Sequence, residues 1–522
     1  MTKIVQEGLA KLVIDETADT ASFYNPIQEF NRDMTVTVLR QYVCDRENEK
    51  TINGKEDDGP PPEKKSKVSR RSKTVTNEPL RILDALSASG LRALRFAQEV
   101  DNIGNVIAND FSESSVENIK KNIKANGLND KISASFDDAK NLMMLHREPS
   151  KQFHVVDLDP YGTAAPFLDS AVQSVVDGGL LMVTCTDMAV LCGNTPEACY
   201  LKYGATGLKH RSCHEIALRI LIRCIDSHAN VYGRYIEPLL SMSVDFYVRV
   251  FVKVHSSPIE AKMSALKVAH LLSCCGCSAV DLQPIVRKTT VGNSNKYTTA
   301  ILRSPLLTNG DKCVHCKSSV HIGGPIYSGP IQNLDFIKRL LQRIENTPAA
   351  EALGTHSRIL GMLTVIAEEL HDVPLYYIQD DLLSLVKASC PKQSFFRSAI
   401  LNGGYQISGT HCNPKGFKTN APFSFILDVI RAIVDTKESK TKLPLDTPGG
   451  VILETPKSRS INFSFNPASV PQSVSKDLLR YQSNHGKNWG PKSKAKGSVT
   501  SHSNNTSSTN KKPLGDKQQK SR

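Results

Sequence analysis

The chain has 522 residues, of which 40% are hydrophobic, and it carries a formal net charge of +13. This length is enough for two or more domains, and the positive charge favours a polyanionic partner. No apolar run approaches the roughly 18 residues that a membrane span needs, and the first 20 residues show no secretory or transit signal. We therefore expect a reducing compartment inside the cell, where the 13 cysteines form no disulfides.

Strand-like and helix-like segments alternate between residues 81 and 184. The apolar segments typical of strands are 81–84, 105–110, 132–136, 153–156 and 178–184. Helical segments separate them at 91–97, 113–125, 142–146 and 164–176. This alternation predicts a doubly wound parallel sheet in an α/β domain.

Small and acidic residues follow the first three strands. The first turn contains one glycine, Gly90, whereas a dinucleotide fingerprint has three. Asp110 ends the second strand at the spacing of an acid that holds ribose hydroxyls, and Asp137 and Asp138 follow the third. Acids at successive strand ends favour S-adenosylmethionine over NAD as the ligand. A Rossmann-like domain without a cofactor is the alternative.

The fourth strand leads directly into Asp157, Leu158, Asp159, Pro160, Tyr161 and Gly162. Ligands bind at this edge of an open α/β sheet. A carboxylate that accepts an N–H hydrogen bond and a ring that stacks on a base would suit chemistry on the exocyclic amine of a nucleobase. The alternative is an Asp-Pro turn with a core tyrosine, because short motifs often match by chance.

Two polar segments interrupt the pattern. Residues 48–78 contain three prolines and a basic cluster at 64–73, and we expect a disordered insertion. The cluster resembles a nuclear import signal, although a solvated linker would have the same composition. Residues 471–522 form a basic tail, which we also expect to be disordered and to add non-specific affinity for RNA phosphates.

Several long motifs follow one another along the chain. They are Tyr24-Asn25-Pro26, Asn31-Arg32-Asp33, Asp84 to Arg92, Asp157 to Gly162, Thr184 to Ala189 and His411 to Pro422. In this order they resemble the tRNA (guanine-26 N2)-dimethyltransferase family of eukaryotic type, and the resemblance covers the chain from about residue 24 to residue 488.

The resemblance implies a class I, Rossmann-like methyltransferase domain at 1–255. A family-specific α+β domain that binds tRNA would follow at 256–470. It implies transfer of one or two methyl groups from S-adenosylmethionine to the N2 amine of guanine 26 in tRNA. We expect no obligatory protein partner. The nucleus is the expected location, with mitochondria as a second candidate.

Site roles follow from the resemblance and from the chemistry of the amine. Asp159 is the expected proton acceptor, the Pro160 carbonyl would hold the second N–H, and Tyr161 would stack on a flipped-out guanine. Asp110 would hold the ribose. The remaining cofactor residues are Arg32 and Arg92 at the cofactor carboxylate, and Asp138 with Ala139 at the adenine, with Asp137 as an alternative to Asp138.

Two other functions remain open on the sequence alone. One is a methyltransferase that acts on a different amine, such as adenine N6, although no second proline follows Pro160. The other is a tRNA-binding protein without activity, against which the intact Asp159 and Asp110 argue.

Two Cys-x-x-Cys pairs occur in the C-terminal half. Cys274 and Cys277 form one pair, and Cys313 and Cys316 form the other. Together they could hold one structural zinc ion, and some relatives in the family carry paired cysteines here. A set of buried free thiols is the alternative.

The rest of the C-terminal half is predicted to be mainly helical, with one polar motif. Periodicity predicts helices at 259–272, 334–344, 359–370, 382–387, 394–401 and 423–434, and a strand at 405–410. In the motif at 411–422, Asn413, Lys415, Lys418 and Asn420 are donors suited to phosphate and ribose. A loop capped by its own asparagines is the alternative.

Overall fold

The computed structural model describes residues 2–15, 24–53, 78–292, 294–308, 310–436 and 443–482. Most of the predicted insertion, at 54–77, and the tail beyond residue 482 lie outside these ranges. Within them, no helix is long and apolar enough to cross a membrane.

A seven-stranded sheet forms the centre of the N-terminal half. The elements up to residue 256 are β1 (Thr2–Glu7), β2 (Ala10–Asp15), α1 (Glu29–Asn53), β3 (Leu80–Asp84), α2 (Leu91–Glu99), β4 (Ile103–Asp110), α3 (Glu113–Ala125), β5 (Ile132–Phe136), α4 (Ala139–Leu145), β6 (Phe153–Leu158), α5 (Leu168–Ser174), β7 (Val175–Cys185), α6 (Met188–Leu191), α7 (Pro196–Tyr203), α8 (Cys213–Val231), β8 (Arg234–Val244) and β9 (Tyr247–Ser256). The strand order is β5-β4-β3-β6-β7-β9-β8. The first five strands are parallel, and β9 is antiparallel to both of its neighbours.

This topology confirms the predicted doubly wound sheet. The chain runs outward from β3 to β5 and then returns to β6, so the strand order reverses between β3 and β6. All six residues of β6 are buried, because helices cover both faces of the sheet. Such a reversal opens a crevice at the carboxyl ends of the strands, where ligands bind.

The C-terminal half contributes to the same core and also builds its own. Its elements are α9 (Pro258–Met263), β10 (Val268–Cys274), β11 (Val280–Pro284), β12 (Val286–Val291), β13 (Ser294–Thr299), β14 (Leu307–Thr308), β15 (Lys312–Cys313), β16 (Val320–Tyr327), α10 (Leu334–Glu345), α11 (His356–Glu368), β17 (Tyr377–Ile378), α12 (Gln379–Leu385), α13 (Gln393–Asn402), β18 (Ile407–Ser408), β19 (Gly416–Thr419), α14 (Phe423–Asp435), α15 (Pro448–Glu454) and α16 (Gln472–Ser475). Helices α12 to α15 and strand β10 share a separate apolar cluster.

Helices α10 and α11 pack beside α1 against the N-terminal sheet. Phe336, Leu340 and Ile359 lie in the same apolar cluster as residues of α1, α2 and β8. Arg339 forms an ion pair with Asp45 at 2.9 Å. The sequence prediction placed this segment in a C-terminal domain that begins at residue 256, whereas the structure joins it to the core of the N-terminal half.

Three predicted boundaries differ from the structure. The predicted helix at 259–272 ends at Met263, and its second half is strand β10, because this segment pairs with both β11 and β16. Helix α1 extends to Asn53, beyond the predicted start of the insertion at residue 48. The predicted tail from residue 471 begins with helix α16, and the Tyr481 hydroxyl donates to the Thr410 carbonyl at 2.7 Å.

An N-terminal hairpin, β1–β2, covers helices α2 and α3 and was not predicted. The backbone N–H of Val13 donates to the Asn122 side chain at 2.9 Å, and that of Leu9 donates to Glu99 at 3.0 Å. Gly8 has φ +56°, and a Cβ atom there would lie 2.2 Å from Glu99 Oε1. The turn therefore needs glycine for both conformation and space.

Candidate active site

Acidic side chains from three neighbouring strands meet at the carboxyl edge of the sheet. Asp84 ends β3, Asp110 ends β4, and Asp157 and Asp159 occupy the end of β6. Because the carboxyl ends of parallel strands lie at one edge, the topology alone places these residues around the crevice.

The turn after β3 is held by the end of β4. The backbone N–H groups of Ala88 and Ser112 each donate to the Asp110 carboxylate at 2.9 Å. Ala88 and Gly90 have φ of +50° and +82°, and Gly90 is the N-cap of α2. Burial raises the pKa of Asp110 above its usual range, although these N–H groups oppose the shift. The turn is thus fixed in a tight conformation that exposes its backbone to a ligand.

Five charged residues form a buried cluster below the crevice. Arg249, on β9, donates to Asp157 at 2.8 Å, and Arg92 lies 3.6 Å from the second oxygen of Asp157. Arg92 also forms a close ion pair with Asp159. Burial and the charge of Asp157 raise the pKa of Asp84 to about 7. With Asp84 protonated, two carboxylates balance two guanidinium groups.

Asp159 stays ionised although it is largely buried. Burial acts to raise the pKa of Asp159, but the positive charges of Arg92 and Arg249 outweigh burial and hold the pKa below its usual range. Its side chain is 23% exposed, so one edge of the carboxylate faces the crevice. The site therefore presents a fixed negative charge to a ligand.

The turn after Asp159 is clamped to the end of β7. The N–H of Gly162 donates to the Thr186 hydroxyl, and the N–H of Thr186 donates to the Gly162 carbonyl, both at 2.8 Å. Pro160 is buried, whereas Tyr161 is 41% exposed. Partial burial and the charges of Asp159 and Asp110 raise the pKa of Tyr161 to about 12. The ring thus stays neutral at the mouth of the crevice.

A further acid near this edge, Asp187, is bound by neighbouring side chains. The Tyr203 hydroxyl donates to it at 2.7 Å, and the Lys202 ammonium group lies 3.0 Å from its second oxygen. Asp187 therefore anchors the segment that follows β7.

The predicted cofactor residues occupy different settings. Arg32 is bound through both arms of its guanidinium group to Glu7 of the N-terminal hairpin, with one contact at 2.6 Å. Asp138 is the N-cap of α4 and accepts from the Lys140 N–H at 2.9 Å, while Ala139 is buried behind it. The structure brings Arg92, Asp110, Asp159 and Tyr161 together at the crevice, whereas both arginines pair with acids of the chain itself.

The four predicted metal ligands converge on one point. The sulfur atoms of Cys274 and Cys316 are 3.3 Å apart, and those of Cys277 and Cys313 are 3.7 Å apart. All four residues are buried, and all four sulfur atoms lie within 4.8 Å of one another. Four sulfurs around a tetrahedral Zn²⁺ with Zn–S bonds of about 2.3 Å would be roughly 3.8 Å apart. The donor set and spacing fit a structural zinc ion.

Two features of the site were not predicted from the sequence. Arg249 lies within the apolar strand β9. A lone cation in an apolar run was the feature of the sequence that could have indicated a buried charged partner. A second group, Cys192, Cys213 and His214, brings its ligand atoms within 4.8 Å of one another. Its members come from two segments about 20 residues apart, and no motif links them along the chain.

The motif at 411–422 is partly internal, and its polar side chains are bound within the chain. Lys418 is buried, with its ammonium group 3.0 Å from Glu215 and 3.1 Å from Glu369. The Asn420 side chain accepts from the Gln406 N–H at 2.8 Å. The Asn413 side chain likewise accepts from the backbone of its own loop, and Lys415 pairs with Asp380. The expected role in binding phosphate is wrong for Lys418, because Glu215 of α8 and Glu369, just after α11, surround its ammonium group.

The sheet topology and the acids at its carboxyl edge define a class I methyltransferase. Comparison with known protein families agrees with this assignment. A model of the N2,N2-dimethylguanosine tRNA methyltransferase family matches residues 3–431. The chain belongs to this family, as its motifs predicted.

Relatives match this chain over most of its length. The tRNA (guanine(26)-N(2))-dimethyltransferase of Caenorhabditis elegans is 50% identical, over 95% of this chain and 94% of its own. The human enzyme of that name is 38% identical, over 94% and 77%. Among solved structures, Trm1 from Pyrococcus horikoshii in complex with S-adenosyl-L-methionine has a TM-score of 0.64 at 28% identity and covers 82% of this chain and 99% of that one.

Proposed function

We propose that this protein transfers methyl groups from S-adenosylmethionine to the N2 amine of guanine 26 in tRNA. The observation that carries the proposal is an ionised carboxylate, Asp159, beside an exposed ring, Tyr161, at the ligand edge of the sheet. Family membership supports both the cofactor and the tRNA substrate. It also disfavours the two other functions, an adenine N6 methyltransferase and a tRNA-binding protein without activity.

The reaction requires only a weakly basic proton acceptor. A guanine N2 lone pair is conjugated with the ring, but once the nitrogen is methylated it carries a positive charge and releases a proton readily. A carboxylate with a low pKa is then a sufficient acceptor, provided that it is ionised and correctly placed. Arg92 and Arg249 keep Asp159 ionised, and its charge stabilises the positive charge that develops on N2. When bound, S-adenosylmethionine supplies an already reactive methyl group, so orientation is the remaining task.

Neighbouring groups would orient the amine and the base. The Pro160 carbonyl, in the turn clamped by Thr186, would accept the second N–H of the amine. The Tyr161 ring would stack on the flipped-out guanine, which contributes about 1–3 kcal/mol per base. A neutral phenol suits this role, because the ring meets an uncharged base.

The cofactor would bind along the ends of β3 to β5. Asp110 would accept from the ribose hydroxyls, and Asp138 and Ala139 would contact the adenine. Arg92 and Arg32 remain the proposed partners of the cofactor carboxylate. Since each now holds a carboxylate of the chain, each would have to share or exchange it when the cofactor binds.

We further propose that Cys274, Cys277, Cys313 and Cys316 hold one structural Zn²⁺. The four buried sulfurs match its tetrahedral spacing. The ion would join the turn after β10 to the turn after β15, a region in which the strands are short. Its role would be to stabilise the fold of this region. All four coordination positions of the ion would be taken by cysteine sulfurs, and none would be left for a substrate.

The proposed location is the nucleus, with a share in mitochondria. The basic cluster at 64–73 supports nuclear import, and a yeast relative carries the word mitochondrial in its name. A fluorescent fusion tests this: replacing the basic residues of 64–73 by serine should remove it from the nucleus. Unchanged nuclear signal would refute the role of the cluster.

Mass spectrometry of tRNA nucleosides tests the catalytic proposal. Asp159→Asn keeps the shape of the side chain but cannot accept the proton, and we expect methyl transfer to fall by about 10²–10⁴-fold. Asp130→Asn, at an exposed position, is the control and should keep the parental rate. Calorimetry should show that Asp159→Asn still binds S-adenosylmethionine. If Asp159→Asn transferred methyl groups at near the parental rate, Asp159 would not be the proton acceptor. Asp187→Asn would then be the next variant to measure.

A further inference from the structure

Strands β12 and β13 form a two-stranded hairpin that stands apart from the cores. In the described part of the chain it pairs with no other strand. Its register runs from Val286 opposite Thr299 to Val291 opposite Ser294. Nearly all of its side chains are exposed. An isolated hairpin without a buried face is marginally stable, so packing does not explain why the chain extends here.

The hairpin and the residues that follow it carry only positive charge. We call residues 286–303 the basic ribbon. No acidic residue occurs from 282 to 310. Its four cations are all exposed, and none has a carboxylate within 4.0 Å among the described residues: Arg287, Lys288, Lys296 and Arg303.

Some exposed lysines elsewhere lie beside an acid, unlike the cations of the basic ribbon. Lys120 lies 2.8 Å from Glu117, and Lys151 lies 2.9 Å from Glu148. Lysines of that kind are neutralised locally, whereas those of the basic ribbon leave a positive field that a polyanion can reach.

The register places cations on both faces of the hairpin. Lys288 is opposite Tyr297, whose ring is 41% exposed, so these two side chains share one face. Lys296 is opposite Thr289 and shares the other face with Arg287. Cations beside an exposed ring are the combination that binds phosphates and stacks on unpaired bases.

The base of the hairpin is fixed to the sheet that carries the four-cysteine cluster. The N–H of Ile285 donates to the Val268 carbonyl at 3.2 Å, and that of Ala300 donates to the Ile285 carbonyl at 3.0 Å. Six residues per strand extend roughly 20 Å at about 3.4 Å per residue. The basic ribbon is therefore anchored at its base, where Arg303 also lies, because its N–H donates to the Gln283 side chain at 3.0 Å.

We propose that the basic ribbon binds the sugar-phosphate backbone of the tRNA substrate. The inference rests on the proposed function, which supplies the polyanion. Phosphate contacts position a nucleic acid without reading its sequence. The basic ribbon would thus hold the tRNA, while the crevice around Asp159 selects and methylates the base.

Salt-dependent tRNA binding tests the role of the basic ribbon. A quadruple alanine variant removes its four cations: R287A, K288A, K296A and R303A. Each lost phosphate contact should reduce the slope of log K against log salt by about 0.7 to 0.9, so we expect a loss of two to four units. The KM for tRNA should rise while kcat at saturating tRNA and the affinity for S-adenosylmethionine stay the same. A variant with four lysines at these positions should keep parental binding.

The control removes the same charge elsewhere, with alanine at Lys120, Lys121, Lys124 and Lys131, all exposed on or after α3. If the ribbon variant kept the parental slope and affinity, the inference would be overturned. This is also the outcome expected if the basic ribbon binds a protein instead of tRNA. An equal loss in the control would also overturn it, because net charge would then be the cause. If the parental protein itself left tRNA unmethylated, the proposed function would fail, independently of the binding result. Circular dichroism checks that both variants are folded.

Discussion

The protonation of Asp84 should make the stability of the fold depend on pH. The side chain is 1% exposed and lies in the cluster with Asp157, Asp159, Arg92 and Arg249. Burial and the charge of Asp157 raise its pKa from 3.8 to about 7. At any pH between these values, the folded protein therefore holds a proton that the unfolded chain has released.

The sign and size of the effect follow from this difference. The stabilisation is complete below pH 3.8 and is lost as the pH rises through about 7. At about 1.4 kcal/mol per pH unit, the whole difference amounts to roughly 4 kcal/mol. Between pH 5 and pH 8, Asp84 should lower the free energy of unfolding by roughly 2.5 kcal/mol.

The free energy of unfolding can be measured at several pH values by urea denaturation, with circular dichroism as the signal. Asp84→Asn cannot ionise, so relative to the parental protein its free energy of unfolding should rise by roughly 2.5 kcal/mol between pH 5 and pH 8. Asp130→Asn, an exposed carboxylate, should follow the parental curve. Parallel curves for Asp84→Asn and the parental protein would refute the idea that the buried cluster retains a proton.

Three further outcomes are expected. Asp110→Asn keeps one acceptor oxygen but loses the charge, so S-adenosylmethionine affinity measured by calorimetry should fall roughly tenfold or more, with tRNA affinity unchanged; equal cofactor affinity would remove Asp110 from the ribose site. Lys418→Met leaves Glu215 and Glu369 without their shared cation and should cost about 3–5 kcal/mol of unfolding free energy in urea denaturation; normal stability with weaker tRNA binding would instead restore its role at phosphate. Cys313→Ser should lose the zinc that elemental analysis detects in the parental protein, whereas the variant Cys275→Ser should keep it; a parental protein without zinc would favour free thiols.

Local pattern was enough to predict the sheet and much of the site. The apolar strands and the acids after them could be predicted because successive parallel strands end at one edge, whatever packs around them. That rule alone brought Asp110 and Asp159 together. It could not indicate Arg249, because its partner Asp157 lies 92 residues earlier and no local spacing links them.

Burial was the quantity that the sequence did not reveal. Lys415 and Lys418 stand three residues apart in one polar motif, yet the first is exposed and the second is enclosed by acids. Likewise, periodicity predicted helices α10 and α11 but not the surface that they cover. Strand β10 resembled a helix because an apolar run of this length fits either period, and its partners β11 and β16 decide the outcome.

The packing of α1 against α10 and α11 has a consequence during synthesis. Asp33 accepts from the Thr355 backbone at 2.9 Å, and Gln41 accepts from Arg343 at 3.0 Å, across more than 300 residues of chain. At about 5–20 residues per second, the ribosome needs roughly 15 to 60 seconds to produce these partners after α1 has emerged. For that time the apolar face of α1, with Met34 and Leu39, has no α10 or α11 to cover it. The nascent chain should therefore benefit from a chaperone that shields exposed apolar helices, and completion of the core around α1 should await translation to residue 368.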